Sequence, residues 1–192
     1  MTETKMISAN GISIRYSDEG PKGAPIVVMS HSLSAELAMW DPQADVLESD
    51  FRVIRYDTRG HGGTEAPVGP YSLEMLADDA VGLLDALGLD KVHWVGLSMG
   101  GMIGQTLGLR APERLVSLTL ADTSAGYPAA ASAMWSDRIK AARENGMAAG
   151  VEGTMERWFS QGFMASGAPV LDDVRRMIAS TPVEGYCGCG GA

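Results

Sequence analysis

The chain has 192 residues, 45% of them hydrophobic and 20% charged, with 24 glycines and 9 prolines; that balance suits one globular domain, with at most a small insertion, and excludes a disordered tail or a repetitive fibre. Fifteen Lys and Arg against 24 Asp and Glu leave a formal charge of −9, which repels phosphate backbones and anionic lipid and argues against nucleic acid or a membrane as partner. Apolar runs such as Pro25–Met29 are strand-sized, the polar start lacks the regions of a secretory signal, and both cysteines fall in the last six residues, so a cytoplasmic protein without a disulfide framework is expected.

In chain order, Ile12–Tyr16 alternates in the manner of a half-buried strand, and Pro25–His31 reads as a second. Asp41 before Pro42 is an expected helix N-cap with proline in the first turn. Phe51–Asp57 reads as a strand. Ser72 then precedes a helix in which Leu73, Leu76, Ala80, Leu83, Leu84 and Leu87 recur at helical spacing until Gly88. Strand Val92–Leu97, helix Met99–Leu109 and strand Leu115–Asp122 follow. Strands alternating with helices imply βαβ units and a mostly parallel sheet covered on both faces. Beyond Asp122 the rhythm stops, and Ala129–Asn145, Val151–Phe163 and Leu171–Ser180 read as helices of an insertion lying over the sheet. The expected organisation is a core over residues 1–122, a helical cap over 123–183 and an irregular Gly/Cys tail over 184–192.

Val92–Leu97 runs into Gly96-Leu97-Ser98-Met99-Gly100-Gly101 and then a helix, which is G-x-S-x-G between a strand and a helix. Such a turn holds a serine in a strained conformation beside the free N–H groups of a helix N-terminus. One alternative is a plain glycine-rich βα turn. Another is dinucleotide binding, since Gly96, Ser98 and Gly101 imitate G-x-G-x-x-G with Asp122 about 20 residues on. The serine at the middle position, where backbone must approach a pyrophosphate, argues against it.

With His31-Ser-Leu-Ser34, Asp57-Thr-Arg-Gly-His-Gly-Gly-Thr64 and Ala111-Pro-Glu-Arg114, the elbow resembles the α/β-hydrolase family in order and spacing from residue 10 to about 122. Within it, His31 to Asp41-Pro42, Gly96 to Gly101 and Thr181-Pro-Val-Glu-Gly-Tyr186 are similar to the 3-oxoadipate enol-lactonases, which open a small lactone in aromatic-compound breakdown. The resemblance implies an α/β-hydrolase-type sheet with flanking helices and a helical cap. It makes Ser98 the nucleophile and the backbone N–H groups of Leu33 and Met99 the oxyanion hole, and it gives Arg59 a loop-anchoring role.

The family's acid and histidine follow the insertion on two further strands. The chain is therefore expected to be truncated at its C-terminus, with the last strands absent and the triad incomplete. Of the three histidines, His93 lies five residues before Ser98, roughly 17 Å away along the strand. His61 belongs to a strand two places from that of Ser98. His31 alone is on a neighbouring strand at the right edge and could approach Ser98 as a base, but shaping the oxyanion loop is its expected role. Asp122 is expected to cap the first turn of the insertion, and Cys187 and Cys189 to be incidental thiols with no metal site.

The insertion carries Met134, Trp135, Met147, Met155, Trp158, Phe163, Met164 and Met177, some of which should line a pocket for a flat organic ligand while the rest are core. Trp135, Arg138, Met155 and Trp158 are the candidate substrate contacts. A carboxylate on the substrate would need Arg138, Lys140, Arg143 or Arg157, although most of these read as a solvated helix face. The expected function is hydrolysis of a small-molecule ester or lactone, with no cofactor. The alternatives are a non-catalytic ligand-binding relative and a general esterase, thioesterase or perhydrolase. Nothing in the sequence assigns an oligomeric state.

Overall fold

The computed structural model describes residues 3–128 and 131–192. Its strands are β1 (Lys5–Ala9), β2 (Ile12–Glu19), β3 (Ile26–Ser30), β4 (Arg52–Tyr56), β5 (Val92–Leu97) and β6 (Leu115–Ala121). They form one sheet in the order β1-β2-β4-β3-β5-β6. β2 is antiparallel to both of its neighbours, and the remaining pairs are parallel. β1 was not foreseen, because its five residues, Lys-Met-Ile-Ser-Ala, are mostly exposed and show no clean alternation of polar and apolar side chains. The turn into β2 is Asn10-Gly11 with φ of 46° and 77°, the left-handed pair that suits a two-residue hairpin.

Helices α1 (Asp41–Leu47), α2 (Leu73–Ala86) and α3 (Met99–Arg110) cover the sheet. Alternation along β3 sorts the core. Val28 joins Ile54, Trp94, Leu76, Leu83 and Ile103 in one cluster, whereas Val27 and Met29 join Trp40, Ala44 and Val53 in another. α2 begins where expected: the Ser72 hydroxyl accepts from the Met75 N–H at 3.2 Å. It ends on Gly88, whose φ is 66°. Asp41 is not the cap of α1. The helix starts at Asp41, Trp40 takes the cap position without a side-chain bond, and the Asp41 carboxylate pairs with the buried Arg55 guanidinium. On β6, Leu115 and Leu118 pack inward, while Val116 and Leu120 stay exposed at the sheet edge.

The remaining helices are α4 (Ala131–Asn145), α5 (Val151–Trp158), α6 (Gln161–Ala165), α7 (Val170–Ser180) and α8 (Val183–Gly190). The expected start of the first of them, at Ala129, lies outside the described residues. α5 and α7 share a cluster of Val151, Met155, Leu171 and Ile178, and a second cluster joins Ala142, Met147 and Cys187. No helix among the described residues is long and apolar enough to cross a membrane.

The irregular tail expected over 184–192 is corrected by α8. Glycine costs an exposed helix about 1 kcal/mol relative to alanine, so composition alone argues against a helix here. Packing overrides it. A Cβ on Gly185 would lie 1.8 Å from the Gly60 carbonyl oxygen, and one on Gly188 would lie 2.7 Å from the Tyr71 ring. The Tyr71 N–H donates to the Gly188 carbonyl at 3.2 Å. Only glycines let this helix lie against that loop.

Candidate functional site

Ser98 occupies the single residue between β5 and α3, with φ 52° and ψ −111°, a conformation costing an L-residue about 1–3 kcal/mol. Three glycines make the turn possible. A Cβ on Gly96 would meet the Gly100 carbonyl oxygen at 2.1 Å, one on Gly100 would meet the Ser30 carbonyl oxygen at 2.2 Å, and one on Gly101 would meet Thr123 at 2.7 Å. Hydrogen bonds then hold Ser98 in place. Its N–H donates to the Ala121 carbonyl at 2.9 Å, and its carbonyl accepts from the Gly101 N–H at 2.9 Å and the Thr123 hydroxyl at 2.7 Å. The Trp94 indole N–H donates to the Gly100 carbonyl at 3.1 Å. The half-buried Ser98 side chain has no hydrogen-bond partner among the described residues. Thr123 escaped the sequence reading. Its one visible signal is its place just past the strand adjacent to the elbow.

The turn after β3 is fastened beside this elbow, since the Gly100 N–H donates to the His31 carbonyl at 3.1 Å. Ser34 has φ 65°. The N–H groups of Leu33 and Met99 make no hydrogen bond among the described residues and are free to donate. Two buried imidazoles shape the turn. His31 Nε2 accepts from the Thr58 N–H at 2.9 Å and its Nδ1 bonds the Ser32 carbonyl at 2.8 Å. His61 Nε2 accepts from the Ser34 N–H at 3.2 Å, with Nδ1 against the Arg59 carbonyl at 3.2 Å. A nitrogen that accepts from an amide carries no proton, so both rings are neutral and protonated at Nδ1. Burial pushes His31 down to about 4. Burial, with His31 only 5.2 Å away, pushes His61 down to about 3.

Asp57 closes the network. It accepts from the Leu37 N–H at 2.7 Å and the Gly63 N–H at 2.8 Å, and pairs with Arg15 at 2.6 Å. Burial nonetheless leaves its carboxyl above the usual range. Arg59 binds Asp79 through two bonds of 2.7 and 2.6 Å, anchoring its loop to α2. None of the three imidazoles meets Ser98, because His93 pairs instead with the Ser117 hydroxyl at 2.8 Å.

Asp122 does not cap the turn that follows it. Its φ is 41° and its exposed carboxylate has no partner among the described residues. Ser124 does that work instead, accepting from the Gly126 N–H at 3.2 Å while its carbonyl takes the Gln105 amide at 3.1 Å.

The four candidate substrate contacts separate. Arg138 stacks over the Trp135 ring at 5.0 Å. Met155 is fully buried between α5 and α7, so it is core and not a ligand contact. Trp158 is exposed, and the cleft that takes in Arg138 is lined by none of Trp135, Met155 and Trp158. No cluster of metal-ligating side chains occurs among the described residues.

The profile of the alpha/beta hydrolase fold matches residues 25–174. The 3-oxoadipate enol-lactonase 2 of Acinetobacter baylyi is 33% identical over 183 residues, which cover 95% of this chain and 68% of that protein. The 3-oxoadipate enol-lactonase 1 of the same organism is 36% identical over 176 residues, covering 92% of this chain and 65% of the relative. The chain thus spans about two thirds of the length of these curated relatives. The crystal structure of the enol-lactonase from Burkholderia xenovorans LB400 superimposes with a TM-score of 0.92 at 38% identity, covering 97% of this chain and 72% of that one.

Proposed function

The chain belongs to the α/β-hydrolase family, and from that premise we propose that it is a serine hydrolase of small carboxylic esters or lactones, with Ser98 as nucleophile. The observation that carries this reading is the elbow itself: a serine at φ 52° and ψ −111° with an unpartnered hydroxyl beside two unbonded amides. In this reading Ser98 Oγ attacks the carbonyl carbon. The carbonyl electron pair moves to the oxygen, where the N–H groups of Leu33 and Met99 receive it. Collapse expels the alkoxide, which takes a proton from solvent and in a lactone stays tethered to the acyl group; water then adds to the acyl carbon, the Ser98 ester bond breaks, and the acid leaves as Ser98 Oγ regains a proton. The similarity to enol-lactonases favours a lactone as substrate. In this reading protein groups and water carry every step, and no cofactor is called for. A reducing, cytoplasmic setting suits the two buried free thiols, whose Sγ atoms contact the carbonyls of Ile139 and Arg59 at 3.7 Å.

The proton on Ser98 Oγ needs an acceptor, and the ring nitrogens of His31 and His61 are committed to loop amides and carbonyls. Acylation by the 192-residue chain should therefore depend on hydroxide and quicken about tenfold per pH unit. The test is intact-mass analysis after exposure to p-nitrophenyl acetate and to a small acidic lactone. One acyl adduct, absent from Ser98→Ala, is expected. Equal labelling of Ser98→Ala would remove the nucleophile assignment. The same engagement of all three imidazoles favours a second reading, a ligand-binding relative that does not turn over. It predicts saturable lactone binding with no acyl adduct at any pH.

A further inference from the structure

The chain leaves β6 through Asp122, whose φ of 41° strains an L-residue. Its exposed carboxylate has no partner among the described residues, so the side chain of Asp122 gives no reason for the turn. What the turn achieves is the placing of Thr123. That half-buried residue donates its hydroxyl to the Ser98 carbonyl at 2.7 Å. It lies where a Cβ on Gly101 would come within 2.7 Å of it, so the glycine leaves the space that the threonine fills. One turn further along α3, the Gln105 amide donates to the Ser124 carbonyl at 3.1 Å, on the same face as Gly101. The segment after β6 is thus strapped along the start of the helix. The Ser98 carbonyl also accepts from the Gly101 N–H at 2.9 Å and the Met102 N–H at 3.1 Å. Both donors belong to α3 and turn with it. Among the described residues, Thr123 alone ties this carbonyl to a different element.

The carbonyl of Ser98 and the N–H of Met99 belong to one trans peptide unit. They lie in one plane and point in opposite directions, so whatever fixes the carbonyl also fixes the N–H. We propose that Thr123 is a positioning residue for the oxyanion hole: its hydroxyl holds the Ser98–Met99 peptide plane and so aims the Met99 N–H at the charge that develops on the substrate oxygen. The proposal rests on the reading of Ser98 as nucleophile and of the Met99 N–H as oxyanion donor. One hydrogen bond stabilises by an amount of the same order as the strain stored at Ser98, so its loss lets the plane tilt while α3 persists. A tilted donor harms the transition state more than the bound ester, because the full negative charge exists only in the former.

The test compares variants of the 192-residue chain. Thr123→Val removes the hydroxyl and keeps the shape, Thr123→Ala removes it without crowding Gly101, and Thr123→Ser retains it. With p-nitrophenyl acetate at one pH, the maximal acylation rate of Ser98 should fall roughly tenfold in the first two, with half-saturation unchanged, and stay near the original in Thr123→Ser. Thr106→Val deletes a comparable bond, from the Thr106 hydroxyl to the Met102 carbonyl at 3.0 Å, and should leave the rate as it was. The carbonyl carbon shift of Ser98 and the amide shift of Met99 report the plane without turnover. Both should move in Thr123→Val and Thr123→Ala and hold in Thr123→Ser. An unchanged rate or unchanged shifts in the two variants without the hydroxyl would overturn the proposal. So would an equal loss of rate in Thr123→Ser or Thr106→Val, which would mean a loosened helix only. An unmutated chain that forms no acyl adduct would remove the serine reading by itself, and the two shifts would then decide whether Thr123 holds the plane.

Discussion

Ser98 is held in a conformation that glycine would adopt freely, and the structure pays for it with three glycine contacts and four backbone bonds around the turn. Ser98→Gly should therefore raise stability by about 1 kcal/mol, the released strain exceeding the added unfolded-state entropy. Urea denaturation checks it, and a loss of stability would mean that the turn is not strained. At Leu33 only the backbone N–H matters to the proposed chemistry. Leu33→Pro removes that donor and should slow acylation of Ser98 by about 10²-fold, whereas Leu33→Met should not. Identical rates for the two variants would exclude Leu33 from the oxyanion hole.

His31 and His61 make stability pH-dependent, and the sign follows from their direction. Both are lowered on folding, to about 4 and about 3 from an ordinary 6.5. The unfolded chain therefore binds more protons between those values, so their contribution is complete above about pH 6.5 and is lost as pH falls. Two such sites give a slope of about 2.7 kcal/mol per pH unit between roughly pH 4 and 6, of which His61→Gln should remove about half. Denaturation curves at three pH values in that window measure the slope. An unchanged slope in the variant would show that His61 is not buried neutral.

Among the elements, α2 and β5 were legible because their signals are local: Ser72 and Gly88 bracket one, and the other leads into the elbow motif. α8 was not legible, since its glycines act through contacts with Gly60 and Tyr71, more than 100 residues away in the chain. Gly185→Ala should cost at least about 2 kcal/mol, because the facing atoms all belong to the Gly60 backbone and cannot yield. Gly190→Ala meets only ordinary contacts from 3.5 Å outward and should be neutral or stabilising by up to about 1 kcal/mol. Urea melts, with hydrogen exchange at Cys187 and Gly188, compare the two. Equal effects would mean that α8 does not dock on the loop after β4.

At the scale of the whole molecule, the sheet clusters and the α5–α7 cluster have no buried residue in common. Met155, fully buried in the latter, should cost about 2–5 kcal/mol of local stability when changed to alanine. Hydrogen exchange should quicken in α5 and α7 and leave β3 and β5 unaltered. Exchange that quickens equally in the sheet would show one cooperative unit instead.

The amino-acid sequence by itself determined the alternation of strands and helices, the parallel core and the elbow at Ser98, because hydrophobic period, caps and turn glycines act within a few residues of one another. Its resemblance to the α/β-hydrolases named Leu33 and Met99 as oxyanion candidates, from motifs next to strand ends. Tertiary structure alone decided that His61 joins His31 as a neutral pin of the turn after β3, that Met155 is core, that Asp122 caps nothing and that Arg138 and Arg157 share a cleft without an acid. Each of these depends on which distant backbone or charge comes to lie beside a side chain. Residue type and spacing do not encode that, because burial and partners arise only when the elements pack.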